Sequence, residues 1–334
     1  MGKYKLINNV LGWVTFAISS IVYLMTMEPT ASFWDCGEFI SSAYKLEVGH
    51  PPGAPFFMLT ANLFTQFASD PSQVAVMVNS MSALFSGLTI LFLFWSITHL
   101  ARRILVNEGE EISNSQLITI MGSGLVGALA YTFSDTFWFS AVEGEVYAYS
   151  SLFTAVVFWL ILKWEAVADK PHADRWMVLI AYLMGLSIGV HLLNLLCIPA
   201  IVLVYYYKKY PNPTLKGTFV ALFISFAIIA VMMYGVVQGL VEVCGWFELL
   251  FVNGMGMPYN SGVFAYVVVL LGVIAWAIYE TMTSNPNKAR MNIAFILSVT
   301  LIGIPFIGSG YVIGMLLIAA LSAYLFLSKR TSIE

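Results

Sequence analysis

The sequence contains very little charge. Asp, Glu, Lys and Arg make up 10% of its 334 residues, whereas soluble domains average about 25%. Hydrophobic residues account for 60% of the chain, and the mean hydropathy is +0.84. This composition excludes an ordinary soluble domain and predicts an integral membrane protein.

Three further features that the sequence lacks limit the classes of function it could have. The three cysteines, Cys36, Cys197 and Cys244, give no disulfide framework and no metal-binding spacing. No basic patch is present that could hold nucleic acid, which excludes that class of partner. No internal repeat is visible, so the inverted-repeat architecture of many transporters gains no support.

Long apolar runs predict an all-α, polytopic membrane protein with about ten transmembrane helices. Eight segments are long enough to cross about 30 Å of hydrocarbon, and they are residues 8–27, 74–100, 117–134, 146–163, 217–240, 263–282, 290–307 and 310–328. The run from Trp176 to Tyr207 is too long for one ordinary helix, so Gly189 to Asn194 would form a polar turn between two short helices. The first run lacks a small-residue cleavage site, and we expect it to remain as a membrane helix.

The basic residues predict the orientation. With both termini in the cytoplasm, every Lys and Arg except Lys45 lies on the inner side, in agreement with the positive-inside rule. The outer side, which would be the periplasm or the endoplasmic reticulum lumen, then carries most acidic residues in three loops, 28–73, 135–145 and 241–262. We therefore expect a single domain over residues 1–334 whose chemistry faces outward.

The stretch from Phe33 to Pro55 follows the first span and contains the strongest candidate residues. Asp35 and Glu38 lie three residues apart, on one face of a predicted short amphipathic helix in the membrane surface. His50 and the Pro-Pro-Gly after it end this helix. A partly desolvated carboxylate could act as a general base toward a hydroxyl, although the spacing alone favours an ordinary solvated face.

A second acidic cluster, Glu143 and Glu145, lies at the outer end of the fourth span. Residues two apart point to different sides of a helix, so one of them, not both, could join Asp35. A charged span end explains the pair equally well.

Few groups on the outer side could neutralise a bound phosphate. Lys45 is the one strong cation there, and His50 and His191 lie beside glycine or proline turns. A lone histidine in a membrane turn is more often a structural hydrogen bonder. Helix N-termini or a divalent metal are the alternatives, and no ligand spacing in the sequence shows a metal site.

Three segments in order make the sequence similar to a known family: FWDCGEF with HPPGAP, then DTFWFSAVEGEVYAYSSLF, then HLLNLLCIPA. They resemble the membrane region of glycosyltransferase family 117, the protein O-mannosyltransferase-like proteins of the GT-C superfamily, over nearly the whole chain. The resemblance implies the GT-C fold, a polyprenyl-phosphate-linked sugar as donor, and an aspartate of the first outer loop as catalytic base. By position in the motif, Asp35 would be that base and Glu38 its catalytic neighbour.

The resemblance predicts a transferase that moves a hexose such as mannose to Ser or Thr hydroxyls of exported proteins. Asp35 would take the hydroxyl proton, and the lipid tail would lie between the spans, among the membrane lipids. The predicted substrate-binding residues are Lys45, His50, Glu143, Glu145, His191 and Asn194. Members of the family often have a larger soluble part, so acceptor recognition would need a further domain or a soluble partner.

Two other functions are compatible with the sequence. A transporter or flippase would need carboxylates at mid-depth in the membrane, whereas these acids cluster at the predicted outer surface. A non-catalytic subunit of a membrane assembly could keep the same fold without the reaction. Loss of sugar transfer on substitution of Asp35 would separate an enzyme from both.

Overall fold

The computed structural model describes residues 2–107, 109–283, 287–306 and 311–328, and within these ranges all regular secondary structure is helical. The all-α prediction is therefore confirmed for the described residues. The α-helices are α1 (Gly2–Thr26), α2 (Cys36–Lys45), α3 (Pro55–Thr65), α4 (Val74–Leu105), α5 (Asn114–Thr132), α6 (Asp135–Ala141), α7 (Val146–Glu165), α8 (Asp174–Ile188), α9 (Ile198–Lys209), α10 (Leu215–Ala230), α11 (Gln238–Leu249), α12 (Ser261–Met282), α13 (Lys288–Ile302) and α14 (Tyr311–Leu327). Short 3-10 helices cover Pro71–Gln73, Leu192–Cys197 and Ile304–Phe306, and π-helical turns cover Val231–Val237 and Leu250–Gly254.

Six of the described helical stretches are long and apolar enough to cross a membrane, so the chain is that of a membrane protein. They are α1, Pro71–Leu105, α7, Leu192–Lys209, Leu215–Gly254 and α12. α5 and α6 pass the same test as one span that bends by 68°. α13 and α14 correspond to the last two predicted spans, and residues 307–310, where those spans should meet, lie outside the described residues.

The apolar run from Trp176 to Tyr207 is divided into separate helices at the polar turn that was predicted from the sequence. α8 ends at Ile188, and the N–H groups of Val190 and His191 both donate to the Ser187 carbonyl oxygen, at 2.9 and 2.8 Å. The 3-10 helix follows, and α9 then begins with a proline near its N-terminus, where the missing N–H costs no helical hydrogen bond. The two helices therefore meet in a polar turn.

The predicted outer loop 241–262 is mostly helical instead. α11 and the π-helical turn after it continue to Gly254, because this stretch is apolar enough to extend the helix. The Glu248 carboxylate accepts hydrogen bonds from the N–H groups of Asn260 (2.7 Å) and Val263 (3.1 Å), and it thereby satisfies the first turn of α12. The loop is confined to residues 255–260.

The contacts divide the chain into two compact units, Met1–Leu222 and Phe223–Glu334. In the second unit the Tyr266 hydroxyl donates to the Leu301 carbonyl oxygen at 2.8 Å and joins α12 to α13.

In the first unit α4 is central, since it packs against α1, α5 and α7. One apolar cluster joins α2, α3, α4 and α7, and another joins α1, α4, α5 and α6. Every predicted site residue lies in the first unit, and the single domain over residues 1–334 stays a prediction.

The chain between α1 and α2 is held against α4. Asn79, which is fully buried, donates from its side-chain amide to the carbonyl oxygens of Glu28 (2.7 Å) and Thr30 (3.0 Å). The Glu28 N–H in turn donates to the Val142 carbonyl oxygen at 3.0 Å. These bonds place the start of the first predicted loop beside the segment that precedes α7.

Gly144 lies where this segment is pressed between α2 and α4. A Cβ at this position would lie 2.9 Å from Asn79 Oδ1, 3.0 Å from Ile40 Cγ1 and 3.1 Å from Val78 Cγ1. Real side chains rarely approach so closely, so glycine is the residue that fits here without displacement of its neighbours.

Substitution of Gly144→Ala is expected to destabilise the fold by about 1–3 kcal/mol, the usual cost of overpacking a core. Gly122→Ala in α5 is the matched control, because a Cβ at Gly122 meets nothing within 4 Å and alanine favours a helix. Thermal unfolding of both variants in the same detergent measures the difference. Equal melting temperatures would contradict the close packing at Gly144.

Candidate functional site

Four segments of the first unit contribute the walls of one pocket. They are the N-terminal end of α2, the chain just before α3, the N-terminal end of α7, and the turn before the 3-10 helix Leu192–Cys197. α3 is docked on that turn because the N–H groups of Phe56 and Phe57 donate to the Gly189 carbonyl oxygen, at 2.7 and 3.2 Å. The lining residues are Asp35, Phe39, His50, Pro52, Gly53, Ala54, Glu145, Val146, Tyr147, Val190 and His191.

Four of the predicted site residues line this pocket together: Asp35, His50, Glu145 and His191. They come from the three sequence segments that carry the family resemblance. The fold therefore brings side chains that are distant in the sequence to one place.

The pocket lies at helix N-termini. Asp35, Ala54, Glu145 and His191 are the residues immediately before α2, α3, α7 and the 3-10 helix. Helix N-termini carry partial positive charge that attracts ligand oxygens, and here they lie in a described lining that contains the acids Asp35 and Glu145 and no Lys or Arg. The carboxylates of Asp35 and Glu145 make no capping hydrogen bond and so stay available to a ligand.

Glu38 does not line the pocket and instead holds His50. Its Oε1 accepts the His50 backbone N–H at 2.6 Å, and its Oε2 lies 3.2 Å from His50 Nδ1. These hydrogen bonds hold the pKa of the Glu38 carboxyl below its usual value. The Phe39 ring packs against the imidazole with ring centroids 5.7 Å apart, so His50 is fixed from two sides.

Asp35, Glu38 and His50 form the one described group that could hold a metal ion. One ligand atom from each residue lies within 4.8 Å of the other two. Two carboxylate oxygens and an imidazole nitrogen are suitable ligands for a divalent cation such as Mn²⁺, and Mg²⁺ would be held mainly by the carboxylates. The chemistry of this donor set therefore fits a divalent cation.

Glu145 is a buried acid of the pocket, with 4% of its surface exposed. Burial, together with the nearby charges of Glu143 and Asp35, raises the pKa of its carboxyl to about 7, and His50 opposes this rise. At neutral pH a substantial fraction of Glu145 is therefore protonated and can donate a hydrogen bond, whereas a carboxylate can only accept.

Glu143, which was expected to bind substrate, faces away from the pocket. It is 3% exposed and interacts with the side chains of Ser32 and Cys36. Burial raises the pKa of Glu143, and these two hydrogen bonds oppose the rise. Burial likewise raises the pKa of the Cys36 thiol to about 12, so this cysteine is inert. Glu143 thus anchors the segment that leads to Asp35, and only Glu145 reaches the pocket.

Lys45 and Asn194 are also not brought into the pocket. Lys45 is exposed in the last turn of α2, roughly 15 Å along the helix from the Asp35 end at 1.5 Å per residue. Asn194 is fully buried, and its amide donates to the Ser187 hydroxyl at 2.9 Å across the turn. Lys45 was predicted as a substrate ligand from its side of the membrane and Asn194 from its place in the polar turn, and neither fact determines the direction of a side chain.

Tyr147 lines the pocket and was missed by the sequence analysis. It lies in the first turn of α7, two residues after Glu145, and its ring packs against His191 with centroids 5.4 Å apart. Its neighbours in the sequence are also aromatic or apolar. The sequence alone therefore does not distinguish an aromatic residue at the membrane interface from one that lines a pocket.

The fold and the pocket define a multi-span helical membrane protein with a carboxylate and histidine pocket at the helix N-termini of its first unit. Residues 35–214, more than half of the chain, match the family model described as "Protein O-mannosyl-transferase TMEM260 N-terminal domain". The chain belongs to this family. Every residue that lines the pocket lies within the matched range.

Two curated relatives are named protein O-mannosyl-transferase TMEM260. The protein from Dictyostelium discoideum is 27% identical over 185 residues, which is 54% of this chain and 20% of the relative. The protein from Mus musculus is 28% identical over 174 residues, 52% of this chain and 22% of the relative. The chain therefore aligns with about a fifth of the length of these relatives. No solved structure matches it.

Glu145→Gln should stabilise the protein at pH 8 and have a much smaller effect at pH 5. A carboxyl with a raised folded-state pKa costs stability as pH rises from about 4.5 to about 7, and glutamine removes this cost of at most about 3 kcal/mol. Thermal unfolding in detergent at both pH values measures the effect. Glu47→Gln, an exposed acid of the first predicted loop, is the control, and a similar response in both variants would contradict the burial of Glu145.

Proposed function

We propose that the chain is the membrane part of a protein O-mannosyltransferase. It would move mannose or a similar hexose from a polyprenyl-phosphate donor to Ser or Thr hydroxyls of exported proteins. The observation that carries this proposal is the meeting of Asp35, His50, Glu145 and His191 in one pocket inside the region shared with that family. The printed names of the two relatives support the reaction type.

Asp35 is the general base in this proposal. Its carboxylate lines the pocket, is only partly exposed, and makes no capping hydrogen bond. It takes the proton of the acceptor hydroxyl while that oxygen attacks the anomeric carbon of the sugar. The new bond from oxygen to carbon forms as the bond to the lipid phosphate breaks, the phosphate leaves with the electron pair, and the anomeric configuration inverts.

The charge of the leaving phosphate meets helix N-termini rather than basic side chains. α2 and α7 direct their N-terminal ends to the pocket and carry no side-chain cap there. Glu38 holds the His50 ring beside these helix ends through its contacts with the His50 backbone N–H and Nδ1. A divalent cation would be held by Asp35, Glu38 and His50 and would supply further neutralisation of the phosphate.

The membrane topology proposed here has ten spans and a GT-C-like arrangement. The six long helices and the bent α5 and α6 pair supply seven of them, and the shorter helices α8, α13 and α14 supply the remaining three. Both termini would be cytoplasmic, and the pocket would open on the periplasmic or lumenal side, where α2 and α3 would lie in the membrane surface.

Asp35→Asn is expected to lower sugar transfer by at least about 100-fold, the lower end of what general-base catalysis contributes, while the protein still folds. Transfer of labelled mannose from a polyprenyl-phosphate donor to a Ser- and Thr-containing acceptor protein measures the effect in membranes. Asp70→Asn is the matched control, because Asp70 is an acid of the same loop that caps the Pro71–Gln73 helix outside the pocket.

Wild-type rates in the Asp35 variant would remove Asp35 as the base. No transfer by the folded wild type, with both lipid and sugar varied, would instead indicate a non-catalytic subunit that keeps the pocket.

The role of a cation is tested separately. Transfer is measured after treatment with EDTA and again after addition of Mg²⁺ or Mn²⁺. Loss and recovery of transfer would support a cation at the three residues Asp35, Glu38 and His50. Unchanged transfer would support the simpler role of Glu38, which is to hold His50 by hydrogen bonds.

A further inference from the structure

The two ring nitrogens of His191 have different surroundings. Nδ1 accepts a hydrogen bond from the Leu193 backbone N–H at 3.1 Å and so caps the 3-10 helix Leu192–Cys197. A nitrogen that accepts an N–H carries no proton of its own, so the neutral ring bears its proton on Nε2. The helix cap therefore selects the tautomer.

Several contacts keep this ring in place and neutral. The His191 backbone N–H donates to the Ser187 carbonyl oxygen at 2.8 Å, and the Tyr147 ring packs against the imidazole. Burial lowers the pKa of His191. A second proton would have to lie on Nδ1, against the Leu193 N–H, and it would destroy the cap. The imidazole is thus a fixed single donor rather than a cation.

The pocket around His191 contains hydrogen-bond acceptors and titratable acids, but few hydrogen-bond donors that keep their proton throughout the proposed reaction. Asp35 and Glu145 face it from α2 and α7, and His50 faces it from the chain before α3. Asp35 must accept a proton in the proposed reaction, and Glu145 donates only while it is protonated. The Nε2–H of His191 is the donor whose state is set by the backbone.

We propose that His191 binds the sugar donor through one neutral hydrogen bond, from Nε2–H to an oxygen of the polyprenyl-phosphate-linked sugar. This proposal rests on the proposed function and refines it, because a neutral His191 donates one hydrogen bond instead of neutralising phosphate charge. The oxygen belongs either to a sugar hydroxyl or to the phosphate, and both accept the same bond.

Two variants separate the pocket role of His191 from its capping role. In His191→Gln the amide group reaches the place of Nε2, so the pocket donor is kept and the cap is lost. In His191→Asn the amide oxygen reaches the place of Nδ1, so the cap is kept and the pocket donor is lost. Kinetics of mannose transfer and thermal unfolding are measured for both variants and the wild type.

His191→Asn should raise KM for the sugar donor by about 10-fold, as expected for the loss of one neutral hydrogen bond, and should leave KM for the acceptor and the melting temperature unchanged. His191→Gln should keep KM for the donor within about 3-fold of wild type, since it retains the donor group, and should lower the melting temperature. The reverse pattern, with an active Asn variant, would make His191 a helix cap only. An increase confined to KM for the acceptor would overturn the assignment to the sugar donor.

A spectroscopic test does not depend on turnover. Nitrogen-15 NMR of labelled histidine in the detergent-solubilised wild type, with His191→Asn as the assignment control, should show an unprotonated Nδ1 and a protonated Nε2. Addition of polyprenyl-phosphate mannose should shift the Nε2 signal. A shift with polyprenyl phosphate alone would assign the accepting oxygen to the phosphate, and a shift only with the mannose-bearing lipid would assign it to the sugar. A proton on Nδ1, or no shift with either lipid, would overturn the proposal even if the wild type transfers sugar. An absence of transfer with the expected shift would overturn the proposed function alone.

Discussion

Asn79 is buried in α4 and donates both protons of its amide to the chain that leaves α1. In an apolar interior a carbonyl without a partner costs free energy, so these bonds fix where the polypeptide turns toward Asp35. The amide oxygen of the same side chain faces Gly144. Both segments that bear the candidate acids are therefore positioned against one residue of α4, and the pocket depends on this contact.

The local backbone separates two acids that are neighbours in the sequence. The Glu145 N–H donates to the Glu143 carbonyl oxygen at 3.0 Å, which makes a tight turn at Gly144. Glu143 is directed to Ser32 and Cys36 and Glu145 to the pocket. The fold thereby assigns one acid to anchoring the chain and the other to the ligand, although both have the same side chain.

The pocket uses backbone electrostatics in place of basic side chains. N-terminal ends of α2 and α7 lie at its acids, and the cap of the Leu192–Cys197 helix holds His191 in one tautomer. A site of this kind contains polar groups that are fixed by hydrogen bonds of the main chain. Such groups need no reorganisation when a ligand binds, which favours selective recognition of hydroxyl and phosphoryl oxygens.

The sequence by itself determined the all-α membrane class, most helices and the polar break after α8, because hydrophobic periodicity and helix breakers act locally. The family resemblance marked the three segments that meet in the pocket. The sequence did not predict the helix through residues 241–254, which were assigned to an outer loop but are apolar enough to continue the helix. Only the tertiary structure decided that Glu145 and Tyr147 face the pocket while Glu143, Lys45 and Asn194 do not. The direction of a side chain depends on which elements pack around it, and that packing joins residues far apart in the chain.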